Sequence, residues 1–275
     1  MADDAPSGIP PAIFENAHVR LKDCRHGPMA YMTGDRYVGR AFDLYCEYTE
    51  DEWRMLDQLL KPGMVALDIG ANIGAHTIPM ARKVGPAGQV LAFEPQRQVF
   101  QLLAANVALG ALDNVRTEHA AVGAAPGEIM VPNIDYAKGG NFGGLALGEY
   151  DAGEPVPVRT VDRLALAQCH VMKIDVEGME RDVLEGARET IERLRPVLYV
   201  ENDRRERSEA LLTTLFSMDY RLYWHLPRLF SPDNFFANPD NVFDNLVSRN
   251  VLCLPRERDV TVVEMREITD AGETF

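Results

Sequence analysis

Between residues 64 and 122 the apolar and polar positions of this chain fall into a repeating rhythm. Val65-Ala66-Leu67 is a short apolar run closed by Asp68, and QVLAFE (89–94) and NVRTEHAAVG (114–123) are later runs of the same kind. Helix-period stretches lie between them, one through Arg82 and one over QVFQLLAANVALG. Short apolar runs alternating with amphipathic helices predict an α/β fold, a mostly parallel sheet with helices on both faces. The rhythm resumes further on. HVMKIDVEGME places a strand at 171–174 with Asp175 at its tip, and RPVLYVEN gives a strand ending in Glu201-Asn202. A helix over ERSEALLTTLFSMDY, the run RLYW and the final strand LVSRNVLCLP complete the set. Right-handed crossovers bring the tips Asp68, Glu94 and His119–Ala121 to one edge of the sheet.

The flanks follow other patterns. Residues 1–12 are acidic and Pro-rich and read as a disordered tail. HVRLKD, MAYMTG and RYVGRAF predict a small β lead-in over 13–46. In TEDEWRMLDQLLKPG, Thr49 and Glu52 have capping-box spacing ahead of a helix. The main domain then spans 47–255, and 256–275 forms a charged C-terminal tail. Within it, GEIMVP reads as an extra strand, followed by a glycine-rich insertion around Asn141 and Phe142.

The turn VALDIGANIGAH carries the chemistry. Gly70, Asn72 and Gly74 let a ligand approach the backbone, since glycine has no Cβ in the way. The dinucleotide fingerprint needs glycine at 72, where this chain has Asn72, and Asp68 would repel a pyrophosphate. Glu94 ends the next strand, where a carboxylate accepts hydrogen bonds from ribose hydroxyls. A turn for a nucleoside, an acid for its ribose and Asp68 for an ammonium group together describe S-adenosylmethionine. His119 either contacts an adenine or is a strand-end histidine bonded within the fold.

Composition narrows the classes. A chain of 275 residues holds one large α/β domain. Its formal net charge of -14, with no basic stripe, argues against a nucleic-acid partner. Cys24, Cys46, Cys169 and Cys253 are widely spaced and read as reduced core thiols. No apolar run reaches membrane-spanning length and the N-terminus lacks signal-peptide features, which predicts a cytoplasmic protein without a membrane partner.

LDIGANIG, FEP, KIDVEGME followed by VLEGA, and the P-x-x-x-x-E strand resemble the FkbM-type S-adenosylmethionine-dependent methyltransferases over roughly residues 45–255. The resemblance implies a Rossmann-like class I sheet of seven strands with an antiparallel last strand. It also implies O-methylation of a small molecule, sugar or glycosylated metabolite. By the same resemblance Glu47 and Tyr48 sit over the methionine end of the cofactor, beside Asp68, Gly70, Asn72, Gly74, Glu94, Ala121 and Asp175. N-methylation, a macromolecular acceptor or a catalytically silent cofactor-binding module are the other readings.

Methyl transfer from a sulfonium needs an aligned acceptor and a group to take its proton. Asp175 and His225 are the candidates, with helix capping the other role for Asp175 and, more so, for Glu177. Asp175, Glu201 and Asn202, on neighbouring strand tips, offer hard oxygen donors suited to Mg²⁺. That set looks like the one in cation-dependent catechol-type O-methyltransferases. The stretch WHLPRLFSPDNFFANPDNVFDN mixes aromatic rings with amides, which suits a hydroxylated acceptor. Asn141, Phe142, Trp224, Phe235 and Asn238 are therefore the candidate acceptor contacts.

Overall fold

The computed structural model describes residues 11–146 and 150–273. The tail expected at 1–12 falls mostly outside the described residues. The lead-in opens with an antiparallel sheet of β1 (Phe14–Glu15), β2 (Val19–Cys24) and β3 (Gly27–Met32). Its third piece is not a strand. Val38, Ala41, Phe42 and Tyr45 are buried at helical spacing, and α1 (Val38–Tyr45) forms there. Then come α2 (Glu50–Leu59), β4 (Val65–Ile69), α3 (Thr77–Val84), β5 (Gln89–Phe93), α4 (Arg97–Leu109) and β6 (Val115–Glu118). NVRTEHAAVG thus splits, because β7 (Ala121–Val122) leaves the main sheet. It pairs with β9 (Glu154–Arg159), which also pairs with β8 (Gly127–Val131). The chain continues through β10 (Val171–Ile174), α5 (Glu180–Glu185), α6 (Arg188–Leu194), β11 (Val197–Glu201), α7 (Arg205–Ser217), β12 (Tyr220–His225), β13 (Asn250–Pro255) and β14 (Arg266–Ile268).

The main sheet runs β14-β12-β13-β11-β10-β4-β5-β6. Strands β6, β5, β4, β10 and β11 are parallel neighbours, and β13 enters antiparallel between β11 and β12. Seven strands follow the expected class I arrangement. The eighth is β14, from the segment read as a charged tail, where Leu222 of β12 pairs with Ile268. Helices α5, α6 and α7 close one face through Val183, Ile191, Leu212 and Leu215. On the other face α2 and α3 bury Leu56, Leu60, Met80 and Val84 against β4, β5 and β11. The four cysteines are buried free thiols, and among the described residues no helix is long and apolar enough to cross a membrane.

The helix start at Glu50 departs from a capping box. Thr49 sits at φ 42 and makes no side-chain cap. Its hydroxyl lies 3.2 Å from His76 Nε2 instead. Glu52 lines the cleft described next, where its carboxylate meets the Asn250 amide.

Candidate active site

The parallel strand tips converge on a cleft of about 360 Å³. Its floor is the turn after β4. Gly70 has φ +83, and a Cβ there would lie 1.7 Å from the Asp175 carbonyl oxygen, so only glycine lets the tips of β4 and β10 close up. The Gly70 and Ala71 N–H groups donate to the Phe93 carbonyl at 3.0 and 2.9 Å. Glu94 stands beside them. One of its oxygens accepts from the Asn72 N–H at 3.0 Å and the other from the Gln96 N–H at 2.8 Å. Burial pushes the Glu94 carboxyl up to about 7; the two N–H bonds oppose the shift, and the charges of Asp175 and Asp68 add to it.

Opposite lies a charged network. Lys173, only 3% exposed, reaches from β10 to Asp175 Oδ2 at 3.1 Å and to Asp68 Oδ1 at 3.6 Å. Burial works against its charge, but Asp175, Asp68 and Glu52 outweigh that and hold its pKa above the usual range. Glu177, at φ 55, accepts from Arg204 Nη2 at 2.7 Å. Burial, then Asp175, pushes the Glu177 carboxyl up to about 7. Burial and the charges of Asp175 and Glu177 push Glu201 well above the usual carboxylate range. Glu52 meets the Asn250 amide at 2.9 Å and His76 Nε2 at 3.4 Å. Burial holds His76 well below its usual pKa, helped by Lys173 and His26, so it is neutral.

Of the expected cofactor residues, Tyr48, Gly70, Asn72, Glu94 and Asp175 line this cleft together. Four others do not. Asp68 is fully buried, with Oδ2 accepting from the Thr77 hydroxyl at 2.6 Å. Gly74 turns the chain toward Leu103 at φ +92. Glu47 accepts from Arg25 Nε and from the Phe235 N–H, both at 2.7 Å. Ala121 lies behind the Gly70 turn in β7, on a void of about 10 Å³. His119 lies 2.9 Å from the Pro95 carbonyl and stacks on Phe100.

The catalytic and metal expectations divide in the same way. His225 is displaced from the cleft: its Nδ1 lies 2.7 Å from the Tyr199 hydroxyl, on the face covered by α2. Asn202 does not join the carboxylates, because its amide donates to Ser208 Oγ at 2.9 Å. Glu177 takes its place, and one oxygen each of Asp175, Glu177 and Glu201 lie within 4.8 Å of one another. Two of these three acids already hold internal cations, Lys173 and Arg204. The set therefore fits a divalent cation poorly.

Among the expected acceptor contacts only Asn141 lines the cleft. Phe142 is sealed beneath it, edge-on to Tyr136. Trp224 joins the core on the opposite face, Phe235 lies under the Arg25 guanidinium, and the Asn238 amide donates to the Leu44 carbonyl. Of the stretch 224–245 only Leu229 lines the cleft, and Leu246, Val247 and Ser248, just before β13, complete a wall with it. Glu52, His76, Lys173 and Arg204 escaped the sequence reading. Lys173 left a trace, a lysine inside the otherwise apolar strand VMKI.

The sheet order, the glycine turn and the acid after β5 define a class I methyltransferase fold. Residues 68–222 match the family described as the methyltransferase FkbM domain, and the chain belongs to that family. It is similar to an FkbM methyltransferase from Methylobacillus flagellatus KT, 18% identical, over 77% of this chain and 52% of that one, with a TM-score of 0.48. The match thus spans about half of that relative's length. A SAM-dependent O-methyltransferase from Thermotoga maritima is 16% identical over 77% of this chain and 66% of that one, at TM-score 0.42. An rRNA methylase from Streptococcus thermophilus is 11% identical over 74% and 94%, at TM-score 0.41. No curated protein matches the chain.

Proposed function

We propose that this chain transfers the methyl group of S-adenosylmethionine to a hydroxyl oxygen of a small molecule, sugar or glycosylated metabolite. The residues that line the cleft fit the cofactor. Glu94 would take the ribose hydroxyls, with the nucleoside beside Pro95 and Gln96. When bound, the cofactor supplies an electrophilic methyl on a sulfonium. Asp175, held by Lys173, accepts a hydrogen bond from the acceptor's O–H, aims its oxygen along the line of displacement and takes its proton as the C–O bond forms and the methyl leaves the sulfur. Leu229, Leu246 and Val247 exclude water from that side.

The observation that carries the acceptor class is the charge of the cleft. Glu52, Glu94, Asp175, Glu177, Glu201 and Asp203 line it against two cations, Lys173 and Arg204, each already bonded to an acid. Neither cation is left to pair with a phosphate-bearing acceptor such as RNA, and the net charge of -14 repels one at long range.

The test offers labelled cofactor with neutral hydroxylated acceptors and, separately, with RNA. Label appearing on a hydroxyl oxygen of a neutral acceptor supports the reading; label on RNA alone overturns it. Because the carboxylate set fits a divalent cation poorly, no step runs through a metal. Turnover should survive excess EDTA, and its loss on chelation with recovery on adding Mg²⁺ would contradict this.

A further inference from the structure

Asp68, the acid expected to meet the cofactor's amino group, is closed off behind Thr77 and Lys173. The methionine end still needs a negative partner, since its ammonium would otherwise lie buried and unpaired. Five cleft acids are poor candidates, Asp203 because its Oδ1 already accepts from the Arg249 N–H at 2.7 Å, beyond the tip of β11. Asp175 and Glu177 hold Lys173 and Arg204, and both oxygens of Glu94 are bound by N–H groups beside the nucleoside end. Glu201 stands at the tip of β11, next to Glu177 and Asp175 on the acceptor side.

Glu52 differs. It is 5% exposed, lines the cleft, and its hydrogen-bond partners are neutral: the Asn250 amide, the Ser248 hydroxyl and His76. It also stands at the right place along the sheet. His76 follows the glycine turn and leads into α3, while Asn250 belongs to β13, beyond β10 and β11. Glu94 ends β5, on the far side of β4. A few strand spacings of about 4.8 Å separate the two acids, a span that an extended adenosyl amino acid bridges.

We propose that Glu52 of α2 is the residue that receives the α-ammonium of the cofactor's amino-acid end. This rests on the cofactor reading above and deepens it. The groups facing Glu52 set its charge: Lys173 and Asp175 on β10, His76 before α3, Tyr48 before α2, Tyr199 on β11, and Asn250 and Ser248 from β13 and the wall before it. Burial dominates and holds the carboxyl at about 7, with Lys173 opposing the shift. An arriving ammonium favours the carboxylate, so Glu52 releases a proton on binding. Affinity for the amino-acid end therefore rises with pH across neutrality.

The experiment compares two probes by calorimetry. S-adenosylhomocysteine carries the ammonium; 5′-methylthioadenosine shares its nucleoside and lacks the amino-acid end. Glu52→Gln should weaken S-adenosylhomocysteine about tenfold or more and leave 5′-methylthioadenosine unchanged, the loss expected for one charge-assisted bond. In the wild type, the ratio of the two affinities should rise between pH 6 and 8, with extra proton release for S-adenosylhomocysteine alone. The wild-type ratio needs no variant to fold. Equal weakening of both probes by Glu52→Gln, or a pH-independent ratio, overturns the assignment while leaving the cofactor reading intact. A wild type that binds neither probe overturns both.

Discussion

Glu94 is fixed before any ligand arrives. Two backbone N–H groups, from Asn72 and Gln96, set its carboxylate in the cleft, where we propose the nucleoside binds. Such preorganisation lowers the cost of ordering on binding. Glu94→Gln keeps the size but removes the charge and one acceptor atom. It should weaken S-adenosylhomocysteine by about 1.5–3 kcal/mol, the loss for bonds to a charged acceptor. Calorimetry on a variant with wild-type circular dichroism checks this, and an unchanged Kd would remove Glu94 from the site. The same scale shows why the sequence disclosed Glu94 and hid Glu52. Glu94 follows a strand at a fixed interval from the glycine turn, a signal local in sequence. Glu52 lies in a capping pattern, and the groups that hold it in the cleft, Asn250 and His76, come from elements distant in sequence.

At the scale of elements, Glu47 is a joint. It ties Arg25, between β2 and β3, to the Phe235 N–H in the wall segment. Glu47→Ala leaves that N–H and the guanidinium short of a partner and should cost about 1–3 kcal/mol of stability. The expected kinetic signature is a higher KM for the acceptor with an unchanged Kd for S-adenosylhomocysteine. A change in cofactor affinity alone would contradict the assignment of this wall to the acceptor. The β/α alternation was legible because strand and helix periods are local properties. Two elements were not. In RYVGRAF, Tyr37 and the flanking arginines mask a helical spacing of Val38, Ala41, Phe42 and Tyr45. Strand β14 buries Ile268, but its neighbours Arg266 and Glu267 face solvent, so its sequence reads as tail. The rings of Trp224 and Phe235 misled for a related reason. Aromatic residues fill cores and pair with cations as readily as they line sites, and composition cannot separate these roles.

Across the whole molecule, the excess of buried carboxylates gives stability a pH dependence. Glu52, Glu94 and Glu177 are each held near 7, above their usual 4.5, so the folded state binds protons more tightly than the unfolded chain. Their contribution is complete below about pH 4.5 and is lost as pH rises through 7. The ligand-free protein should therefore melt at a lower temperature at pH 8 than at pH 6. S-adenosylhomocysteine should raise Tm more at pH 8, where the acids are already ionised. A ligand-free Tm that climbs from pH 6 to 8 would contradict the buried-acid description.

We propose that the cofactor lies across the tips of β5, β4 and β10. A crystal structure with S-adenosylhomocysteine tests it most directly. Both ribose hydroxyls should lie on the Glu94 carboxylate, the chain of the ligand should cross Gly70, and its amino-acid end should sit beside His76 and Glu52. Ligand density elsewhere on the molecule, or in this cleft with the ribose turned away from Glu94, would contradict it.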